Sequence, residues 1–232
     1  QEYGKIGKSL KNAVSPDEMY EQFGADTFRV YEMSLGPLDQ SKPWETRAVV
    51  GSQRFLQRVW RNVIDEETGE VRVTEAALDA DTERLLHQTI AAVSGDYDAL
   101  GFNTAIARLI ELNNALTKLK AVPRAAIEPL VLMVAPVAPH LAEELWVRLG
   151  RSGGISRVAY PVADPELLKA DQVTCVVQVK GKVRHRIEVD PEISAEDLEA
   201  AVMAEDRVKE LLEGQTVRKV IVRAPKIVNI VV

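Results

Sequence analysis

Apolar residues recur at spacings of three and four up to about residue 150, and from residue 173 they cluster in short β-branched runs, so the pattern predicts helices followed by strands. Ser15, Pro16 and Glu18 read as N-cap, first helical residue and capping-box partner of a short helix that Gly24 stops. A second short helix runs through "ADTFRVYEMS" and is closed by Gly36-Pro37. From Pro43 to about Ile64 a longer amphipathic helix sets Trp44, Ala48, Phe55, Leu56, Val59, Trp60 and Val63 on its apolar side. Stretches 81–94, 102–120 and 124–149 continue the pattern, with Phe102, Ile106, Leu109, Leu116 and Leu119 striping the middle one. Pro129, Pro136 and Pro139 lack the N–H that a helix interior needs, so they must kink or interrupt the last stretch, which divides near Pro136. These elements predict an antiparallel helical bundle.

Residues 150–172 are rich in Gly, Pro and polar side chains, the composition of a linker. Beyond it, "VTCVVQVKGKVRHRIEV" reads as two strands joined at a Lys180-Gly181 turn. A single helix follows from the N-cap Ser194 to the stop at Gly214, and "VRKVIVR" and "IVNIVV" close the chain as strands. The predicted fold is therefore mainly α, a helical bundle plus a small C-terminal α/β domain of order β-β-α-β-β. Its domains are a loop with connecting helices at 1–42, the bundle at 43–149, the linker at 150–172 and the small domain at 173–232.

With 232 residues, 46% hydrophobic, 28% charged and a net charge of -6, the chain can bury real cores, and its net acidity argues against indiscriminate coating of nucleic acid. Local charge changes that picture. Residues 188–213 hold ten acidic side chains against Arg207 and Lys209, whereas residues 173–187 carry Lys180, Lys182, Arg184 and Arg186, residues 214–232 carry Arg218, Lys219, Arg223 and Lys226, and neither stretch holds an acid. Alternation sets Lys182, Arg184 and Arg186 on one strand face, opposite Val183, Ile187 and Val189. Such a ribbon suits a phosphate backbone, or else complements the acidic helix. A second stripe, Arg54, Arg58 and Arg61, lies on the long amphipathic helix beside Phe55 and Trp60, and is either an RNA contact or a solvated face. His140 reads as a packed or capping residue and Trp146 as core.

The single cysteine, Cys175, excludes an intrachain disulfide and a cysteine zinc site, and His87, His140 and His185 have no metal-ligand spacing, so no metal site is expected. No apolar run approaches the length of a membrane span and no signal peptide is visible, which predicts a cytoplasmic protein. "GKIGKSLKN" at 4–12 brings Lys5, Lys8 and Lys11 together with two glycines. It is no P-loop, because only Lys5 and Ile6 separate Gly4 from Gly7 where four residues are required. It remains a basic loop whose glycines free the backbone to approach an anion. A chain that starts inside such a loop reads as a piece of something longer.

Several of these stretches together resemble one family. "KIGKS" at 5–9 is similar to the KMSKS loop of class I aminoacyl-tRNA synthetases, and "KNAVSPDEMYEQFGADTFRVYEMSLGP" to the segment that follows that loop. "APVAPHLAEELW" resembles the bundle signature of the Ile/Val/Leu/Met subgroup. "SLGPLDQSKPW", "RFLQRVW" and the terminal "VQVKGKVRHRI" with "VRKVIVRAPKIVNIVV" resemble bacterial leucyl-tRNA synthetases, so that the likeness covers essentially the whole chain. The family's HIGH sequence, nucleotide-binding Rossmann half and editing domain are upstream features absent from these residues, so the resemblance is to a C-terminal portion.

The resemblance implies ATP-dependent transfer of leucine to tRNA(Leu), with ATP and Mg²⁺ as substrates of the full-length enzyme and none expected on this fragment. It makes Lys8 the contact to the ATP phosphates, Lys5 a supporting cation and Ser9 a backbone-proximal hydroxyl. Ile6 and Gly7 replace the usual Met and Ser of the motif. It gives both basic stripes to tRNA, with the small domain reaching the elbow and long variable arm, and implies a monomer that works with the upstream Rossmann and editing domains. A free-standing RNA-binding module without catalysis, and a purely structural bundle, stay open as alternatives.

Overall fold

The computed structural model describes Gly7, residues 13–168 and residues 173–232, and it divides into two compact units, Gln1–Leu168 and Lys169–Val232. Lys5, Lys8 and Ser9 lie outside the described residues.

The first unit holds α1 (Pro16–Phe23), α2 (Ala25–Ser34), α3 (Thr46–Val63), α4 (Ala80–Asp98), α5 (Phe102–Thr117), α6 (Arg124–Val134) and α7 (Pro139–Arg148). They enclose one core built from the apolar stripes, with Phe55, Val59 and Val63 of α3 against Ile106, Leu109 and Leu112 of α5 and Ile127, Leu130 and Val131 of α6. Ser15 occupies the N-cap of α1 and Pro16 its first turn, but the Ser15 side chain makes no capping hydrogen bond, so the capping box with Glu18 does not form. α3 starts later than the pattern predicts. The Tyr31 hydroxyl donates to the Glu45 carbonyl and accepts the Glu45 N–H, at 3.1 and 3.0 Å, and the Trp44 ring meets Tyr31 edge-on at 4.9 Å. Trp44 therefore packs ahead of the helix, and Ala48 faces solvent. The chain does divide at the Pro136 turn, with Pro139 opening α7, whereas Pro129 sits inside α6 without ending it.

Within 150–168, Ile155 is 4% exposed and belongs to the helical core, with Val158, Tyr160 and Ala163 packed against it. Glu143 Oε2 accepts the Ile155 N–H at 2.9 Å, and His87 Nδ1 accepts the Asp164 N–H at 2.9 Å.

The second unit contains β1 (Val173–Val179), β2 (Lys182–Val189), α8 (Ala195–Ala204), α9 (Asp206–Leu212), β3 (Lys219–Arg223) and β4 (Ile227–Val231). The mixed sheet has the order β2-β1-β4-β3, with β1 parallel to β4 and both outer pairs antiparallel. Where the sequence suggests one helix, there are two. A continuous helix would set Glu205 seven residues below the buried Leu198, on the same stripe. The backbone instead turns extended at Glu205 (φ -63, ψ 127), whose Oε2 lies 3.5 Å from His185 Nε2, while Leu198, Val202 and Val208 all belong to the core of this unit. The order is thus β-β-α-α-β-β. Burial in that core pushes the Cys175 thiol above its ordinary pKa, so it is no ready nucleophile.

Candidate nucleic-acid interface

The β1–β2 hairpin turns through Lys180 (φ 53) and Gly181 (φ 74), the two positive values of a type I′ turn. Glycine accepts this conformation freely, and lysine holds it at a local cost. The turn is tied to its neighbour: Lys180 N–H donates to the Ile230 carbonyl at 3.0 Å and Gly181 N–H to Asn229 Oδ1 at 3.2 Å.

Register then decides where the cations stand. Val177 pairs with His185 but Gln178 pairs with Val183, so Arg184 is the extra residue of a β-bulge. The bulge breaks the alternation read from the sequence. Val183 is 48% exposed rather than in the core, and Lys182, paired with the buried Val179, falls at the rim of the face opposite Arg186.

Cys175, Val177, Val228 and Ile230 point to the side covered by α8 and α9. The other face of the sheet is open. Across it, Arg186, Val176, Ile227 and Arg223 form one row, each residue paired with the next. Three strand spacings put the two arginine backbones about 14 Å apart. The next row is Val183, Gln178, Asn229 and Ile221, and beyond it Lys219 pairs with Val231. Lys180, Lys182, Arg218 and Lys219 gather at the hairpin end of the sheet, and Arg186, Arg223 and Lys226 nearer the other. All of these cations, with Arg184, are exposed, and none makes a side-chain hydrogen bond or ion pair among the described residues. Unpaired cations over a floor of Val, Ile, Gln and Asn can hold a phosphate backbone, and the one described acid on this face, Glu188, accepts a hydrogen bond from Thr174 at 2.7 Å. The sequence discloses the cations but not their floor, because the β1–β4 pairing that joins Gln178 to Asn229 spans the whole unit.

In the first unit the α3 arginines differ among themselves. Arg54 is exposed, and Arg58 is half-buried with its Nε in the interior and unpartnered. Arg61 Nε donates to Glu66 Oε2 at 2.9 Å, so part of that stripe is spent within the fold. His140 flanks the N-terminus of α7, its Nδ1 2.8 Å from Asp26 Oδ1, and Trp146 is buried. Among the described residues no group of three metal-ligating side chains gathers, and no helix is long and apolar enough to cross a membrane.

Residues 79–200, from the start of α4 into α8, match the model of the anticodon-binding domain of tRNA ligase. The chain belongs to that family. Its membership is accompanied by similarity over the whole chain to bacterial leucine-tRNA ligases, which are aminoacyl-tRNA synthetases, in their C-terminal portion. The chain is 58% identical to the leucine-tRNA ligase of Bifidobacterium adolescentis over 231 residues, covering 100% of itself and 23% of that protein. It is 59% identical to the leucine-tRNA ligase of Mycolicibacterium vanbaalenii, again over 231 residues, covering 100% of itself and 24% of the relative. The anticodon-binding-domain chain thus spans about a quarter of the length of these relatives. Among solved structures it is similar to Agrobacterium radiobacter K84 agnB2 LeuRS in a ternary complex with tRNA and LeuAMS, with a TM-score of 0.79, 26% identity, and coverage of 98% of this chain and 31% of that one.

Proposed function

We propose that the chain is the tRNA-docking part of a cytoplasmic leucine-tRNA ligase, holding tRNA(Leu) at its elbow and variable arm while upstream Rossmann and editing domains carry the active sites. The observation that carries this reading is the open sheet face, whose exposed Arg186, Lys219 and Arg223 have no acidic partner among the described residues, in a family that serves tRNA ligases. A charge left unpaired contributes little to folding, and meets phosphate without first breaking an ion pair. Arg54 on α3 is a separate cation exposed in the first unit and is a second contact to tRNA.

Residues 5–9 are the chain's contribution to chemistry. In activation of leucine by ATP with Mg²⁺, negative charge grows on the departing pyrophosphate. A cation that meets it more closely in the transition state than in bound ATP lowers the barrier. Lys8 has that role, with Lys5 as supporting cation and Ser9 as a backbone-proximal hydroxyl. The whole ligase acts as a monomer.

The test separates the two contributions. In the full-length ligase, Lys8→Ala should slow leucine-dependent pyrophosphate exchange by about 2–4 kcal/mol of transition-state stabilisation and leave tRNA affinity unchanged. Unchanged exchange removes Lys8 from the mechanism. The 232-residue chain by itself should form no leucyl-adenylate, since a loop cannot position reactants that it does not surround.

A further inference from the structure

Where α2, α3 and α7 meet, the first unit is cut by a groove of about 470 Å³, walled by Gln53, Leu56, Gln57 and Trp60 of α3, Thr27 of α2 and Leu141 of α7. That is the size of a small-ligand site, and its apolar walls carry a few converging polar groups. The carboxylates that line it are already engaged. Asp26 accepts the Leu141 N–H at 2.7 Å and holds His140 Nδ1 at 2.8 Å, Glu66 accepts from Arg61 at 2.9 Å, and Glu144 accepts from Arg148 at 2.8 Å. The neutral groups are not engaged. Gln53, half-buried, Gln57 and the Trp60 indole make no side-chain hydrogen bond among the described residues, and His140 keeps its Nε2 for a ligand. Spacings of four and three put Gln53, Gln57 and Trp60 on one stripe of α3, so both amides and the ring serve the same groove. A half-buried amide without a partner opposes folding, so stability does not account for Gln53.

We infer that this groove receives one unstacked base of the RNA, stacked on Trp60 and hydrogen-bonded by Gln53 and Gln57. The inference rests on the RNA-docking reading above and adds base recognition to it. Each glutamine amide presents a donor beside an acceptor, the complement of a base edge, and an indole ring gives the face of a base a stacking partner. His140 Nε2 supplies a further hydrogen-bonding group. A phosphate would gain little from neutral amides and would meet three carboxylates, so the groove suits the base and not the backbone. The phosphate has its own partner in Arg54, which is exposed, has no ion pair among the described residues, and stands three residues before Gln57 on a neighbouring turn of α3. A base inside a duplex stays stacked between its neighbours, so the occupant comes from an unpaired loop, bulge or strand end.

The test compares binding of the 232-residue chain to transcribed tRNA(Leu), to a single-stranded RNA, and to the same strand built with abasic sites, which keeps every phosphate and lacks the bases. The unaltered chain should bind the base-bearing strand about tenfold more tightly than the abasic one, and tRNA(Leu) should displace it. In the variant Q53A/Q57A, where alanine preserves the helix, this preference should shrink to about threefold or less while affinity for the abasic strand stays unchanged. Two results overturn the inference and leave the docking reading intact. One is an undiminished preference in the folded glutamine variant. The other is a chain that binds tRNA(Leu) but binds the two strands alike or not at all. A chain that fails to bind tRNA(Leu) overturns the docking reading, and this inference with it.

Discussion

Asp26 lies 115 residues before Leu141, yet its Oδ2 accepts the Leu141 N–H at 2.7 Å. The residue before α7 is Ala138, which has no side chain to cap with, so a carboxylate from α2 satisfies the first-turn donors of α7. Arg29, one turn on, donates to the Pro136 carbonyl at 2.9 Å, which ties α2 to the other side of the same corner. Asp26→Ala should cost about 1–2 kcal/mol in urea unfolding, and Asp26→Asn, which keeps an acceptor, clearly less. Equal midpoints for the alanine variant and the unaltered chain would show that α7 needs no cap from α2.

Inside the helical unit, Asn62 Nδ2 donates to Asn113 Oδ1 at 2.8 Å and to Thr117 Oγ1 at 3.1 Å. Asn62→Leu strands a buried acceptor, and the expected loss is about 1–3 kcal/mol. Adding Asn113→Leu removes the stranded group, so the double variant should be more stable than the sum of the single losses allows. Additive losses in a double-mutant cycle would deny the coupling.

The sequence makes some of this fold legible and hides the rest for physical reasons. Helix ends at Gly24 and at the Pro136 turn are local events, set by backbone freedom and a missing donor, and both can be read from a few residues. The start of α3 is set with Tyr31, fourteen residues before Glu45, and the α8–α9 break falls at Glu205, whose carboxylate meets His185 of β2, so both depend on contacts distant in the chain. Composition marks 150–168 as loop, and does not reveal that Ile155 joins the helical core. At the interface, Arg184 and Arg186 are visible as cations in a strand, but the bulge at Arg184, which sets Lys182 on the face opposite Arg186, depends on pairing with β1.

Burial raises two phenols. Tyr97, whose hydroxyl donates to the Met133 carbonyl, is pushed well above the ordinary value of 10.0, and Tyr160 is pushed up to about 12. A raised folded value means that the neutral phenol's stability contribution is intact below pH 10 and declines as pH climbs toward 12. Thermal midpoints should therefore fall between pH 10 and 12, and more shallowly in Tyr160→Phe. Since the Tyr160 hydroxyl is buried without a partner, that variant should lose little or no stability at pH 8. Parallel declines in the two proteins would place the alkaline transition elsewhere.

Lys180 keeps a cation at a turn position that glycine or asparagine fills with less strain. Lys180→Gly should raise stability by about 0.5–1 kcal/mol and at the same time weaken RNA binding, lowering its log-log salt slope by about one unit. Greater stability with undiminished RNA affinity would mean that the turn lysine touches no phosphate.

The central claim is that the open face of the sheet is an RNA surface, and its most direct test is the salt dependence of tRNA(Leu) binding. For the variant R186A/K219A/R223A, the slope of log affinity against log salt should shrink by about 2–3 units, near 0.7–0.9 for each phosphate that the protein no longer neutralises. Leucine-dependent pyrophosphate exchange in the full-length ligase carrying the same substitutions should not change, since the adenylate forms without tRNA. An unchanged salt slope in a folded variant would contradict the account, and would leave the open row of Arg186 and Arg223 as a solvated sheet face.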